Sequence, residues 1–329
     1  MHPDKGILKV GLEIEVCAWK NNTTYQDVAR ELVAHPNGYM QGPPEQWNEW
    51  HTYHCSCEPG GCRQVRRGDI IVPPLVSMTY DASLPSTGAE YIVSPILLAD
   101  GSDGMVMLKE IWDIIVKDAE WTTNGKGVNG AVNVSPSIHI HVSANSNIEK
   151  NSPWAQGVSY SNDILHALEL YSPELFALAS LGRDDRRGLK FRIPNRLGIF
   201  HDEMGAHHGF IHVRAAIPNQ IAYIEWRLFE AAYDSWEYLE RAIYLSSVLT
   251  RSLLLKEGLG RLMSGGYDDM YDEIELFKAS RADSLSGVLN LVSRNRLASL
   301  RELCLNQIDD DMYGFHLIDD MFAELEGGL

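Results

Sequence analysis

Positive charge is scarce in this 329-residue chain: 28 Lys and Arg stand against 45 Asp and Glu, a formal net charge of −17. Binding to duplex DNA without sequence preference needs many basic contacts to phosphate, so nonspecific duplex binding is not expected. No apolar run approaches the ~20 residues that span a bilayer as a helix. The opening MHPDKGILKV lacks a basic stretch followed by an apolar one, the pattern that directs secretion. These absences predict a soluble, cytoplasmic protein with no membrane partner. Cysteine is sparse and odd in number, five in all, with Cys17 and Cys304 isolated. That is a poor disulfide framework and suits a reducing compartment. There is no internal repeat, low-complexity tract or Gly/Ser linker. Two signatures are missing as well: H-E-x-x-H is absent, and the Gly-rich NGKGVNG (124–130) lacks the spacing of a P-loop.

What is present is enough apolar residues, 45%, to bury a substantial core as one large domain or a domain plus a helical lobe. Residues 7–18 read as a strand and 22–34 as a helix with Asn or Thr capping its start. Residues 35–75 read as irregular. VSMTY and AEYIVSP read as strands across a turn-rich DASLPSTG. The spacing then predicts helices over 104–121 and near 161–181, with the strand SIHIHVSA (137–144) between them. GFIHVRAAI and AYIEWRLFEA read as the last strands, and from about 234 onward the pattern is helical. The expected fold class is α+β: an antiparallel-rich sheet with a C-terminal helical region.

Several strands carry polar pairs at strand parity. In GLEIEV, Leu12, Ile14 and Val16 take one face and Glu13 and Glu15 the other. Two carboxylates side by side repel and resist desolvation, so something positive must face them or the face must meet water. SIHIHV pairs His139 with His141, YIEWRL pairs Glu225 with Arg227, and FIHVRA pairs His212 with Arg214. Glu90 adds a carboxylate at a strand start. Any one pair is explained by a wet strand face. Together the types are chemically matched: carboxylates and histidine can hold divalent cations, and arginines can hold phosphate or developing negative charge.

The ordered set GLEIEV, DASLPSTGAEYIVSPIL, SIHIHVSAN and HVRAAIPNQIAYIEWRLFEA resembles the carboxylate–amine ligase superfamily of glutamine synthetase and glutamate–cysteine ligase. It is most similar to the amidoligases found in phage and bacterial genomes. The resemblance implies a sheet of glutamine-synthetase-like catalytic type. Residues 1–233 would form the catalytic core, with a Cys/His-rich insertion at about 43–68, and 234–329 would be a helical region packed on it. It implies Glu13, Glu15, Glu90, His139 and Glu225 as ligands of Mg²⁺ or Mn²⁺. His141, Arg214 and Arg227 would contact ATP, with Arg227, Arg214 and Glu225 catalytic. Asp81 is a candidate ligand or substrate contact. The implied activity is ATP-dependent formation of an amide or isopeptide bond between a carboxylate and an amine through an acyl phosphate. Alternatives are a phosphotransferase on the same fold, a metal-dependent hydrolase, or a fold without catalysis.

Two segments stand outside this pattern. WNEWHTYHCSCEPGGC offers His51, Cys55, Cys57 and Cys62 as a tetrahedral zinc set, or as unligated thiols in a surface loop. RDDRRGLKFRIPNR (183–196) holds six Lys and Arg against two Asp, whereas the last 24 residues hold seven acids and no Lys or Arg. Arg183, Arg186, Arg187 and Arg192 could receive an acidic substrate, or form a solvated loop with internal Arg–Asp pairs. His207 and His208 sit in a candidate lid or an ordinary turn.

Overall fold

The computed structural model describes residues 8–40, 65–67, 70–72, 75–79, 84–85, 87–98, 103–120, 137–144, 167–181, 211–217, 220–230, 232–254, 285–306 and 315–329. It is an α+β structure. Ten strands run in chain order: β1 Leu8–Val16, β2 Ala18–Trp19, β3 Val65–Arg67, β4 Ile70–Val72, β5 Val76–Thr79, β6 Ala89–Leu97, β7 Ala119–Glu120, β8 Ser137–Ala144, β9 Ile211–Ile217 and β10 Gln220–Glu230. The helices are α1 Tyr25–Ala34, α2 Gly104–Val116, α3 Ser172–Leu178, α4 Trp236–Leu254, α5 Leu285–Leu289, α6 Arg294–Leu305 and α7 Phe315–Gly328.

Six strands form one sheet in the order β5-β6-β1-β8-β10-β9, every neighbouring pair antiparallel. Strand parity divides it into two faces. Val10, Leu12, Ile14 and Val16 of β1, Ile138, Ile140 and Val142 of β8, and Ile224, Trp226 and Leu228 of β10 are all buried in the core. Each such side chain contributes about 1.5–3 kcal/mol by leaving water, which makes a one-residue register slip prohibitive. Helix α4 covers this face, lying against β1, β8 and β10. The indole Nε1 of Trp226 donates to Thr250 Oγ1 of α4 at 2.9 Å. The opposite face carries Glu13, Glu15, His139, His141, Glu225 and Arg227.

The centre of the sheet is held close at Gly11. A Cβ there would stand 2.9 Å from the Val93 carbonyl oxygen, beside the β-bulge where β1 slips between Val10 and Leu12 against β6. A side chain would therefore push β6 away just before the two glutamates.

The elements differ from the sequence expectation where local geometry intervenes. Helix α1 begins at Tyr25 rather than 22, because Asn21 and Asn22 take the left-handed φ values of 56° and 57°. Thr24 caps α1 through a reciprocal capping box with Asp27. The first strand ends at Val16, and Ala18–Trp19 pairs separately with Ala119–Glu120. That pairing also stops α2 at Val116, short of the expected 121. Within the span read as irregular, Val65–Arg67 and Ile70–Val72 pair as antiparallel strands. Among the described residues, no helix is long and apolar enough to cross a membrane.

Candidate functional site

Antiparallel pairing of β8 with β1 places His139 opposite Glu13, and pairing with β10 places His141 opposite Glu225. Three residues adjacent in neither sequence nor strand number thereby converge. Glu13, His139 and Glu225 each offer a ligand atom, and these lie within 4.8 Å of one another, so the three can hold a metal ion. His139 Nδ1 is 2.6 Å from Glu13 Oε2 and 3.6 Å from Glu225 Oε1. Both His139 and Glu225 are almost wholly buried, at 3% and 2% side-chain exposure, while Glu13 reaches solvent at 19%. The cluster is dry at its base and open at Glu13.

Glu13, Glu15 and Glu225 bring three carboxyl groups onto this face, and Arg227 Nη1 donates to Glu225 Oε1 at 2.6 Å. Carboxylates held this close together are donors of the kind that a divalent cation takes. Burial pushes the Glu13 carboxyl pKa up, but contacts with His139 and His141 and their positive charge outweigh this and hold it well below the usual carboxylate range.

Around this triad the other residues take distinct places. Glu15 is turned inward: its Oε2 accepts from the Ser137 N–H at 2.7 Å and from the Ser137 hydroxyl at 2.8 Å. Its main-chain oxygen accepts from the Tyr233 hydroxyl. Glu90 of β6 stands directly opposite Glu15 in register. His141 Nε2 lies 3.1 Å from Glu13 Oε1, out of line for a hydrogen bond. The His141 ring stacks on Tyr223 with centroids 4.8 Å apart and planes at 9°. Arg214 pairs with Tyr223, and His212 with Glu225, in the β9–β10 register.

The structure thus brings together Glu13, Glu15, His139, His141, Glu225 and Arg227, with Glu90 and the backbone of Arg214 on adjoining strands. Asp81, Arg192, the zinc set His51, Cys55, Cys57 and Cys62, the glycine-rich 124–130, the basic 183–196, and His207 and His208 lie outside the described residues. Two participants escaped the sequence reading, Ser137 and Tyr223. The available signal was parity: Ser137 shares its strand face with His139 and His141, and Tyr223 shares its own with Glu225 and Arg227.

Comparison with protein-family models gave no match, and neither did comparison with curated proteins. Among solved structures, the chain is similar to a bifunctional glutathione synthetase from Pasteurella multocida at 12% identity and a TM-score of 0.39. That match covers 97% of this chain and 53% of the other. It is also similar to Plasmodium falciparum glutamine synthetase at 12% identity and a TM-score of 0.36, covering 79% of this chain and 52% of the other. The chain spans about half the length of both. At that level of overlap, any functional reading has to come from the site's own residues.

Proposed function

We propose that this chain is an ATP-dependent carboxylate–amine ligase of the glutamine-synthetase-like catalytic type. The proposal takes residues 1–233 as the catalytic core and 234–329 as the helical region. One observation carries the reading: Glu13, His139 and Glu225 present three ligand atoms within 4.8 Å on three neighbouring strands, with Arg227 bonded to Glu225.

The donor set fits a hard divalent cation. It consists of two carboxylates and one imidazole, oxygen and nitrogen donors of the kind that Mg²⁺ or Mn²⁺ takes. Glu13, His139 and Glu225 would hold Mg²⁺ or Mn²⁺, with Glu15 and Glu90 as further ligands. When bound, such a cation neutralises phosphate oxygens and lowers the cost of bringing ATP to an acidic surface.

The chain's residues do the rest. A carboxylate condenses with an amine only after one of its oxygens becomes a leaving group. The substrate carboxylate oxygen attacks the γ-phosphorus of ATP, ADP departs, and an acyl phosphate forms. The amine nitrogen then attacks the acyl carbon, phosphate leaves, and the nitrogen loses a proton. Arg227 is the group suited to the first step. Its guanidinium has five N–H donors, and the bond to Glu225 uses one while fixing its direction. The others can stabilise charge on the phosphoryl group in transit. Arg214 and the Tyr223-stacked His141 would contact phosphate oxygens. Asp81 and Arg192 remain candidates for the acceptor substrates, and a structural zinc at His51, Cys55, Cys57 and Cys62 is a separate proposal.

Hydroxylamine can stand in for the unidentified amine. The protein is incubated with ATP, Mg²⁺, hydroxylamine and a panel of carboxylates, and ADP and hydroxamate are measured. Both should form together with a subset of carboxylates. Glu225→Gln and Arg227→Gln should lower the rate by about 10²–10³-fold while remaining folded. ADP with a phosphorylated acceptor but no hydroxamate would replace the ligase by a phosphotransferase. Water-dependent cleavage without ATP would replace it by a hydrolase.

A further inference from the structure

Ser137 opens β8 at the floor of the cluster and is 2% exposed. It touches two residues of opposite character. Its N–H and hydroxyl both reach Glu15 Oε2, at 2.7 and 2.8 Å, and its Oγ lies 2.9 Å from His139 Nε2. A hydroxyl has one hydrogen to donate, and an ionised carboxylate can only accept. With the Oγ hydrogen given to Glu15, the Oγ lone pairs can accept an N–H at His139 Nε2. The other ring nitrogen, Nδ1, is the one that faces Glu13 and Glu225.

From this chain of contacts we infer that Ser137 is a positioning residue: the relay Glu15–Ser137–His139 holds the His139 ring with Nε2 on the Ser137 hydroxyl and Nδ1 turned toward the place where a cation would sit with Glu13 and Glu225. The inference rests on the proposal that this cluster takes a divalent cation. A metal-bound histidine whose other N–H is held by a hydrogen-bond acceptor keeps both its ring orientation and its basicity, and loss of such an acceptor typically weakens metal binding by about 10–100-fold. The second contact, from the Ser137 main chain, belongs to the backbone and survives a change of side chain. Ser137→Ala therefore keeps Glu15 anchored by the main-chain bond and removes the hydroxyl's contacts with Glu15 and His139 together.

The test uses the full chain and Mn²⁺ alone, titrated by the electron-paramagnetic-resonance signal of the free ion. Wild-type protein should bind Mn²⁺. Ser137→Ala should bind it about 10–100-fold more weakly, and Ser137→Thr, which restores a hydroxyl, should recover most of the loss. In parallel, ¹⁵N-histidine-labelled wild type saturated with Mg²⁺ is examined by long-range ¹H–¹⁵N correlation, the His139 signals being assigned by their loss in His139→Gln. The expected pattern is a proton on Nε2 and none on Nδ1. A proton on Nδ1 in the loaded wild type overturns the inference without any variant at Ser137. So does Mn²⁺ affinity in Ser137→Ala within twofold of wild type. If the wild type binds no Mn²⁺, the cation proposal itself fails, which is a different result from either of these.

Discussion

Glu174 of α3 is wholly buried, and it joins α3 to α6 across 122 positions of sequence through a 3.0 Å contact from Arg296 Nε to its Oε1. The Ser293 N–H adds a second donor to the same oxygen at 2.8 Å. Its other oxygen, Oε2, has no hydrogen-bond partner among the described residues. Burial dominates, and the opposing pull of Arg296 and Ser293 does not cancel it, so the carboxyl is pushed up from about 4.5 to about 7. Between those two values the folded protein keeps a proton that the unfolded chain releases, so stability falls as pH rises. The contribution is full below pH 4.5, declines through the window, and is gone above about pH 7. At about 1.4 kcal/mol per pH unit, the loss over that window is about 3 kcal/mol. Glu174→Gln removes the titration while keeping an oxygen for Arg296. Urea unfolding of both proteins from pH 4.5 to 8.5 isolates the effect in the difference between their stabilities. That difference should shift against the wild type by about 3 kcal/mol between pH 4.5 and 7 and stay level beyond. A difference that is the same at pH 5 and pH 8 refutes the reasoning, and would mean that the ion pair with Arg296 holds Glu174 charged throughout.

Three further changes test the frame that carries the site. Thr250→Val strands the buried Trp226 Nε1–H, now bonded at 2.9 Å; it should cost about 1–3 kcal/mol by urea unfolding, and a loss below about 0.5 kcal/mol would mean that the indole finds another acceptor. Gly11→Ala sets a Cβ 2.9 Å from the Val93 carbonyl oxygen, a backbone atom that cannot rotate away. It should destabilise by about 1–3 kcal/mol and weaken Mn²⁺ binding, because Glu13 lies two residues along the same strand; unchanged stability would show that the bulge gives way. Thr24→Ala dismantles the capping box of α1, at a cost of about 0.5–2 kcal/mol with Mn²⁺ binding unaltered, since α1 contributes no residue to the cluster.

Much of the site was legible because strand parity is a local property. Glu13 with Glu15, His139 with His141, and Glu225 with Arg227 share faces whatever the strands do next, and the buried Leu12, Ile140 and Trp226 between them confirm which face is core. The antiparallel α+β character followed from the same alternation and from the helical spacing after residue 234. Turn chemistry was harder. Asn22 was read into a helix because propensity does not reveal a left-handed backbone, and the short β2–β7 pair was missed because two residues carry no period.

Residue type and alternation within each strand therefore determined which side chains face away from the core and what chemistry they can offer. Strand order was decided only in three dimensions. Placing β8 between β1 and β10 seats His139 opposite Glu13 and within 3.6 Å of Glu225, across 126 positions of sequence in the first case. The Ser137 contacts and the buried Glu174–Arg296 pair belong to the same category. Each depends on distances between segments far apart in the chain, and such distances are fixed by how the core packs rather than by any local preference of the residues that meet.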